Sequence, residues 1–316
     1  MRVLVTGVGG FVGPHLGRAL VAAGHEVHGS ILPGEAGHPS LQGLEMVRHE
    51  ADVTDRAALE RLLGAVRPAA VVHLAAVSFV PSAAADPRRA YQVNVEGTVT
   101  LLAVMRATVP DGRLLFVGSS DAYGAVRPAE LPVDEDVPLR PLSVYGATKA
   151  AAEIAVAQWG RSDGLDVVMA RPFNHTGPGQ SADFVCPALA RQIVAIETGA
   201  QEPVLRVGNV DPVRDIGDVR DVARAYVALL ERGSRGTVYN VCSGEGVSIA
   251  EVIALLRTHA RTPMRAYSDP ARRRAVEIPR IVGSHARITR DTGWRPETPL
   301  TQTLCDVLDD WRHRTP

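Results

Sequence analysis

Tyr145 and Lys149 stand four residues apart in the run Tyr145-Gly146-Ala147-Thr148-Lys149, so a helix through this run places both on one face. A phenol that titrates near 10 is a poor acid or base at neutral pH. An ammonium fixed beside it favours the phenolate and brings it towards the working range of a general acid–base group. The same spacing is common in ordinary solvated helices, so its meaning depends on its surroundings.

Two other runs supply those surroundings. Gly7, Gly10 and Gly13, with Phe11 and Val12 between them, lie where a β-branched run, Arg2 to Thr6, gives way to an apolar-periodic stretch carrying Leu16 and Leu20 and stopped by Gly24. Glycines at such a strand–helix turn let the backbone bend and let a pyrophosphate approach the free N–H groups of the helix N-terminus, so a dinucleotide site is expected there. Gly118-Ser119-Ser120-Asp121-Ala122-Tyr123-Gly124 follows another apolar run, Arg113 to Val117, and so falls at a carboxyl-terminal strand edge, where a hydroxyl can bond a carbonyl oxygen as charge develops. A plain serine-rich turn is the alternative for this run.

These residues need a scaffold, and the remaining pattern describes one. Strands are expected at Glu26 to Ile31, Glu45 to His49, Ala70 to Leu74 and Asp166 to Ala170, alternating with helical segments. Asp86-Pro87 reads as the cap and first position of a helix running to Met105 and carrying Tyr91 and Asn94. Such alternation predicts an α/β fold, a Rossmann-type doubly wound parallel sheet. Beyond residue 175 the regularity loosens: Pro187 to Thr198 reads as helix and Glu202 to Val210 as a short strand, and Gly236 to Val241 returns to the sheet before an Arg-rich, Pro-punctuated region from Arg261 to Pro299. The expected division is therefore a dinucleotide-binding domain over 1–174 with a return segment at about 212–243, and a smaller discontinuous α/β substrate lobe over 175–211 and 244–316.

Composition sets limits. The chain has 316 residues, 46% of them apolar and 22% charged, with a formal net charge of −1, which suits a globular enzyme acting on small molecules and gives no basic stretch for nucleic acid or a membrane surface. No apolar run reaches the length of a membrane span and no signal-peptide region precedes the first strand, so a cytoplasmic location is expected. Cys186, Cys242 and Cys305 are far apart and read as reduced thiols, and the dispersed histidines give no metal-site spacing. The end of the second expected strand, Val27-His28-Gly29-Ser30-Ile31, carries neither an acid for a ribose hydroxyl nor an arginine for a 2′-phosphate, so NADH and NADPH both remain open. Asp52, followed by Val53, reads either as an adenine contact or as a helix cap.

Taken together, the runs Thr6 to Gly13, His73 to Ala76, Ser119 to Gly124 and Tyr145 to Lys149 resemble the extended short-chain dehydrogenase/reductase family of nucleotide-sugar epimerases, dehydratases and reductases, over the whole chain. Arg171 to Gln180, Asp183 to Val185, Gly208-Asn209 and Arg214 to Asp221 resemble its GDP-sugar branch, with Ile216 where that branch has phenylalanine and Arg274-Ala275-Val276-Glu277 where it has RPxE. The resemblance implies NADPH or NADH as cofactor, held also by Leu74, Ala75, Ala76 and Phe173. It implies Ser119, Tyr145 and Lys149 as the reacting group. It also implies a GDP-linked 4-keto-6-deoxy sugar as partner, held by Ser120, Asp121, Asn174, Arg191, Arg214, Arg274 and Glu277, and a homodimer. The expected reaction is reduction of the 4-keto group of GDP-4-dehydro-6-deoxy-D-mannose to GDP-D-rhamnose. A GDP-sugar 4,6-dehydratase, a nucleotide-sugar 4-epimerase and a non-catalytic nicotinamide-binding regulator are the alternatives. A dehydratase needs an additional carboxylate in the serine turn, where this chain has Ser120 and Asp121.

Overall fold

The computed structural model describes residues 1–35, 41–269 and 278–314. The strands are β1 (Arg2–Thr6), β2 (Glu26–Ile31), β3 (Val47–Glu50), β4 (Ala70–His73), β5 (Arg113–Val117), β6 (Asp166–Pro172), β7 (Asn174–Thr176), β8 (Val204–Val207), β9 (Val213–Asp218), β10 (Val238–Val241), β11 (Gly246–Ser248), β12 (Arg265–Ser268) and β13 (Arg280–Ile281). Helices α1 (Val12–Ala22), α2 (Arg56–Val66), α3 (Val80–Ala85), α4 (Pro87–Tyr91), α5 (Gly97–Thr108) and α6 (Val144–Ser162) belong to the first half. Helices α7 (Val185–Glu197), α8 (Val219–Arg232), α9 (Ile249–Thr258), α10 (Ala286–Thr292) and α11 (Leu300–Arg314) belong to the second.

Among the described residues, a seven-stranded sheet runs in the order β10-β6-β5-β4-β1-β2-β3, and each neighbouring pair is parallel. The alternation of side chains explains why its strands read as unbroken apolar runs: Val3, Val5, Leu115 and Val117 pack under α1 and α8, while Leu4, Leu114 and Phe116 pack under α2, α5 and α6. Both faces are therefore buried. The chain leaves β1 towards β2 and β3, then crosses to β4, so the order reverses between β1 and β4; an open α/β sheet has its ligand crevice at that point.

The chain then leaves this sheet. β9 pairs with β7 and β13 in parallel and with β11 antiparallel, β8 pairs with β12, and a separate core of Leu189, Ile193, Val252, Leu256, Leu304 and Leu308 joins α7, α9 and α11. β10 returns to the seven-stranded sheet beside β6. Buried Asp215 ties the parts together, accepting from the backbone N–H of Ser243, Gly244 and Gly283 and from the Ser243 hydroxyl.

The helix expected from Asp86 to Met105 is interrupted. Asp86 caps it by accepting from the Arg89 N–H with Pro87 in the first turn, but residues Gln92–Glu96 form a π-helical turn before α5 begins. Buried Asn94 sits in that turn: its Oδ1 accepts from Val77 N (2.7 Å), and its Nδ2 donates to Val77 O (3.1 Å) and Thr148 Oγ1 (2.9 Å). Single π-turns inside α-helices recur at functional sites.

Candidate active site

A cleft of about 1180 Å³ opens along the carboxyl ends of β1, β4 and β5. At one end stands the N-terminus of α1. Its first residues carry no side-chain cap and no acid; Gly13 N–H turns back to Gly10 O (3.2 Å), and the helix presents the N–H groups of Phe11 and Val12 with the positive end of its dipole. Gly13 lets this helix close on the turn: a Cβ there would lie 2.0 Å from Val8 O. A Cβ on Gly7 would lie 2.7 Å from the Ala75 Cα, so the loop after β4 also comes against this turn. Gly9 and Gly10 meet nothing closer than 3.4 Å, which leaves bare backbone on the cleft side. This uncapped, acid-free terminus behind glycines fits a dinucleotide pyrophosphate.

Farther along that wall, Leu74, Ala75 and Ala76 line the cleft, as do Phe11 and Val12. Asp52 and Val53 line it too, and Asp52 is not the cap of the next helix: Asp55 is, accepting from Ala58 N, whereas Asp52 accepts from Thr54 and pairs with Arg89 at 3.4 Å. Arg89 of α4 and Ser30 near the end of β2 are cleft residues to which the sequence reading gave no role; the Asp86-Pro87 helix start and the second strand's end were the available signals.

At the opposite end, α6 carries Tyr145 and Lys149. Ser143 caps this helix through the Gly146 N–H, and Gly146 is the residue that lets the serine turn reach it, because a Cβ there would lie 2.5 Å from the Asp121 carbonyl oxygen. The Ser119 hydroxyl hydrogen-bonds the Tyr145 phenol and accepts from the Asp121 N–H at 3.1 Å. Lys149 is buried, and its Nζ donates to Val117 O at the end of β5 (2.8 Å) and lies 5.4 Å from the Phe116 ring centre. Burial lowers its pKa to about 8.

The phenol behaves differently from the sequence expectation. Burial, reinforced by the Asp121 carboxylate, pushes the Tyr145 pKa well above 10, with the Ser119 hydrogen bond acting in the other direction. Lys149 is not among the groups that shift it, and its ammonium donates to the β5 carbonyl instead. Tyr145 is thus held protonated, as a donor.

The remaining wall joins the serine turn to residues from the second half of the chain. Phe173 and Asn174 follow β6, Ser120 and Asp121 sit in the serine turn, and Arg214 of β9 completes this side, with Nη1 donating to Val213 O. Arg191 does not line the cleft: Ala190, Ile193 and Val194 form the buried face of α7, and Arg191 turns to solvent. Arg274 and Glu277 lie outside the described residues. His175, which the sequence reading mentioned without a role, stacks on Phe11 with ring centres 6.0 Å apart and planes 10° from parallel, bracing the start of α1.

Asn94 supplies the connection between the two ends. His73 is buried between Thr6 Oγ1 (2.7 Å) and Thr98 Oγ1 (3.1 Å), and Thr98 donates to Asn94 O, while Asn94 Nδ2 donates to Thr148, which donates to Tyr145 O. Hydrogen bonds therefore run from the glycine turn to the helix of Tyr145. Asn94 was visible in the sequence, but the π-turn that aims it has no local signature.

The family profile described as GDP-mannose 4,6 dehydratase matches residues 4–307. The chain is 42% identical over 313 residues to the GDP-6-deoxy-D-mannose reductase of Pseudomonas aeruginosa, covering 99% of this chain and 98% of that protein. In three dimensions it matches the structure of RMD from Pseudomonas aeruginosa complexed with NADPH, with a TM-score of 0.87, 40% identity and 99% of each chain covered. It also matches the UDP-glucose 4-epimerase of Thermus thermophilus in complex with NAD, at a TM-score of 0.87, 30% identity and 99% of each chain. A seven-stranded Rossmann-like sheet, a glycine turn at an uncapped helix and a Ser119–Tyr145 pair above β5 accompany likeness over the whole length, and the chain belongs to the GDP-mannose 4,6 dehydratase family of extended short-chain dehydrogenases/reductases.

Proposed function

We propose that this protein reduces the 4-keto group of GDP-4-dehydro-6-deoxy-D-mannose to GDP-D-rhamnose, using NADPH or NADH. One observation in the cleft favours reduction over dehydration. Of the carboxylates among the described residues that line the cleft, Glu35 and Asp52 belong to the glycine-turn end and Asp121 to the serine turn beside Tyr145, whereas eliminating the sugar's C6 hydroxyl calls for a further acid and base beside the tyrosine. Full-length likeness to the Pseudomonas aeruginosa reductase supports the same reading.

The reduced nicotinamide supplies two electrons and one hydrogen to the sugar's C4 when bound. Tyr145, held neutral by burial, donates its proton to the C4 oxygen. Ser119, already bonded to the phenol, donates to the same oxygen and steadies its charge. Lys149, which lines the same cleft with its ammonium held at Val117 O, is placed to bond the ribose of the cofactor. Gly7, Gly10, Phe11, Val12, Gly13, Asp52, Val53, Leu74, Ala75, Ala76 and Phe173 hold the cofactor, and Ser120, Asp121, Asn174 and Arg214 the nucleotide sugar; Arg191, Arg274 and Glu277 are assigned to the nucleotide sugar by likeness alone. For the lobes the reading is that 1–174, with a return segment at about 212–243, binds the dinucleotide, and 175–211 with 244–316 the sugar nucleotide.

We further propose a homodimer, because Tyr91, Val99 and Ile154 leave apolar side chains exposed on three neighbouring helices, α4, α5 and α6. A cytoplasmic location accords with three free cysteines. No helix among the described residues is long and apolar enough to cross a membrane.

The test is to incubate the protein with GDP-4-dehydro-6-deoxy-D-mannose and NADPH or NADH, following loss of nicotinamide absorbance and identifying the sugar by NMR. Stoichiometric oxidation with GDP-D-rhamnose as product is expected. No oxidation with either cofactor overturns the proposal, and GDP-mannose is then the substrate to try for dehydration or epimerisation.

A further inference from the structure

Tyr226 of α8 is 1% exposed, and its hydroxyl oxygen has no hydrogen-bond partner. A buried hydroxyl without a partner is costly and uncommon, and it asks for a reason. The surroundings narrow the answer. α8 packs on α1, β5 and β6, and the ring lies in the core with Val5, Val8 and Val117, none of which offers a side-chain acceptor. On its other side Tyr226 lines the cleft, in company with Tyr145, Val117 and Phe173. Its phenol is close enough to Tyr145 for the two to interact electrostatically, and burial, the larger effect, raises its pKa far above 10. Tyr226 is therefore a neutral donor and acceptor in the cleft floor at the Tyr145 end, with the core offering it nothing to bond.

We infer that the Tyr226 hydroxyl hydrogen-bonds the carboxamide of the nicotinamide ring, a group able both to donate and to accept. This rests on the reading of the cleft as a nicotinamide cofactor site. It makes Tyr226 a binding residue from the second half of the chain, whose unpaired oxygen is satisfied only when the cofactor is in place. A residue that merely packed the core would treat every adenine-containing ligand alike, whereas Tyr226 should distinguish those with a nicotinamide from those without.

The experiment compares the unmodified protein with Tyr226→Phe, a change that removes one oxygen and keeps the ring. Dissociation constants are measured by fluorescence titration for NADPH and NADH, and for ADP-ribose and its 2′-phosphate, which lack the nicotinamide ring. Weakening of about tenfold for the reduced cofactor is expected, the loss of one net hydrogen bond, with ADP-ribose binding unchanged. In thermal unfolding the ligand-free variant should be at least as stable as the unmodified protein, and the gain on adding cofactor should shrink. Equal weakening of both ligand classes, or no weakening of either, overturns the inference. Failure of the unmodified protein to bind either reduced cofactor overturns the cofactor reading itself, and the two failures are thereby told apart.

Discussion

Lys149 illustrates how a single side chain works against the fold that contains it. Its ammonium is buried beneath Phe116, with one acceptor at Val117 O, and burial lowers its pKa from 10.5 to about 8. The charged form is penalised in the folded state, so the cost is fully present below pH 8 and fades as pH rises from 8 to 10.5. Lys149→Met should therefore stabilise the protein at pH 7 by about 1–3 kcal/mol while abolishing turnover. Urea melts at pH 7 and pH 10 check this, and a variant that is less stable at pH 7 refutes it. The sequence placed Tyr145 and Lys149 on one face correctly. It could not reveal that Lys149 would choose a carbonyl on β5, because that acceptor lies 32 positions away and is brought near by the sheet. The direction of the Tyr145 shift was missed because it comes chiefly from burial of the phenol, which the local sequence does not show.

At the scale of elements, the strands of the large sheet were legible because burial on both faces leaves them as apolar runs, and β5 and β6 begin where expected. β7, β11 and β13 were not legible: they are two or three residues long, too short for any periodicity. The π-turn was equally silent, since the Asn94 side chain finds its partners on Val77 and Thr148, 17 and 54 positions away. Close approaches between elements carry the strongest consequences. Gly146→Ala would drive a Cβ against the Asp121 carbonyl, separating the serine turn from α6. It should lower stability by about 1–3 kcal/mol and cut kcat by an order of magnitude or more, with cofactor affinity little changed; equal kcat would contradict this contact. His73, which joins β4 to α5 through Thr98, is held neutral by burial and by the Lys149 charge, with its pKa lowered to about 3. The unfolded chain binds this proton below pH 6.5 and the folded one does not, so stability should fall by up to about 4 kcal/mol as pH drops from 6.5 to 3. His73→Gln should flatten that acid limb in denaturation midpoints taken at pH 7, 5 and 4.

For the molecule as a whole, the walls of one cleft are drawn from Gly7 to Ile281, so ligand binding draws on nearly the entire chain. The proposed homodimer is tested on the outer faces of α5 and α6. Ile154 is 63% exposed and Val99 37%, and Ile154→Glu should convert a sedimenting dimer to monomer at micromolar concentration with the cleft undisturbed. A dimer that survives this change has its interface elsewhere.

The return of β10 to the sheet also bears on how the polypeptide is made. β6 ends at Pro172, but the strand that covers its outer edge does not begin until Val238. On the ribosome, β6 emerges with its backbone donors and acceptors open along one side while the intervening lobe is still being synthesised, a state open to pairing with other chains. Nascent chains halted just before Val238 should sediment with aggregates, and chains halted after Gly283, once Asp215 has its partners, should not. Biosynthesis is the stage at which this topology is exposed, and slow translation through α7 and β8 would lengthen that exposure.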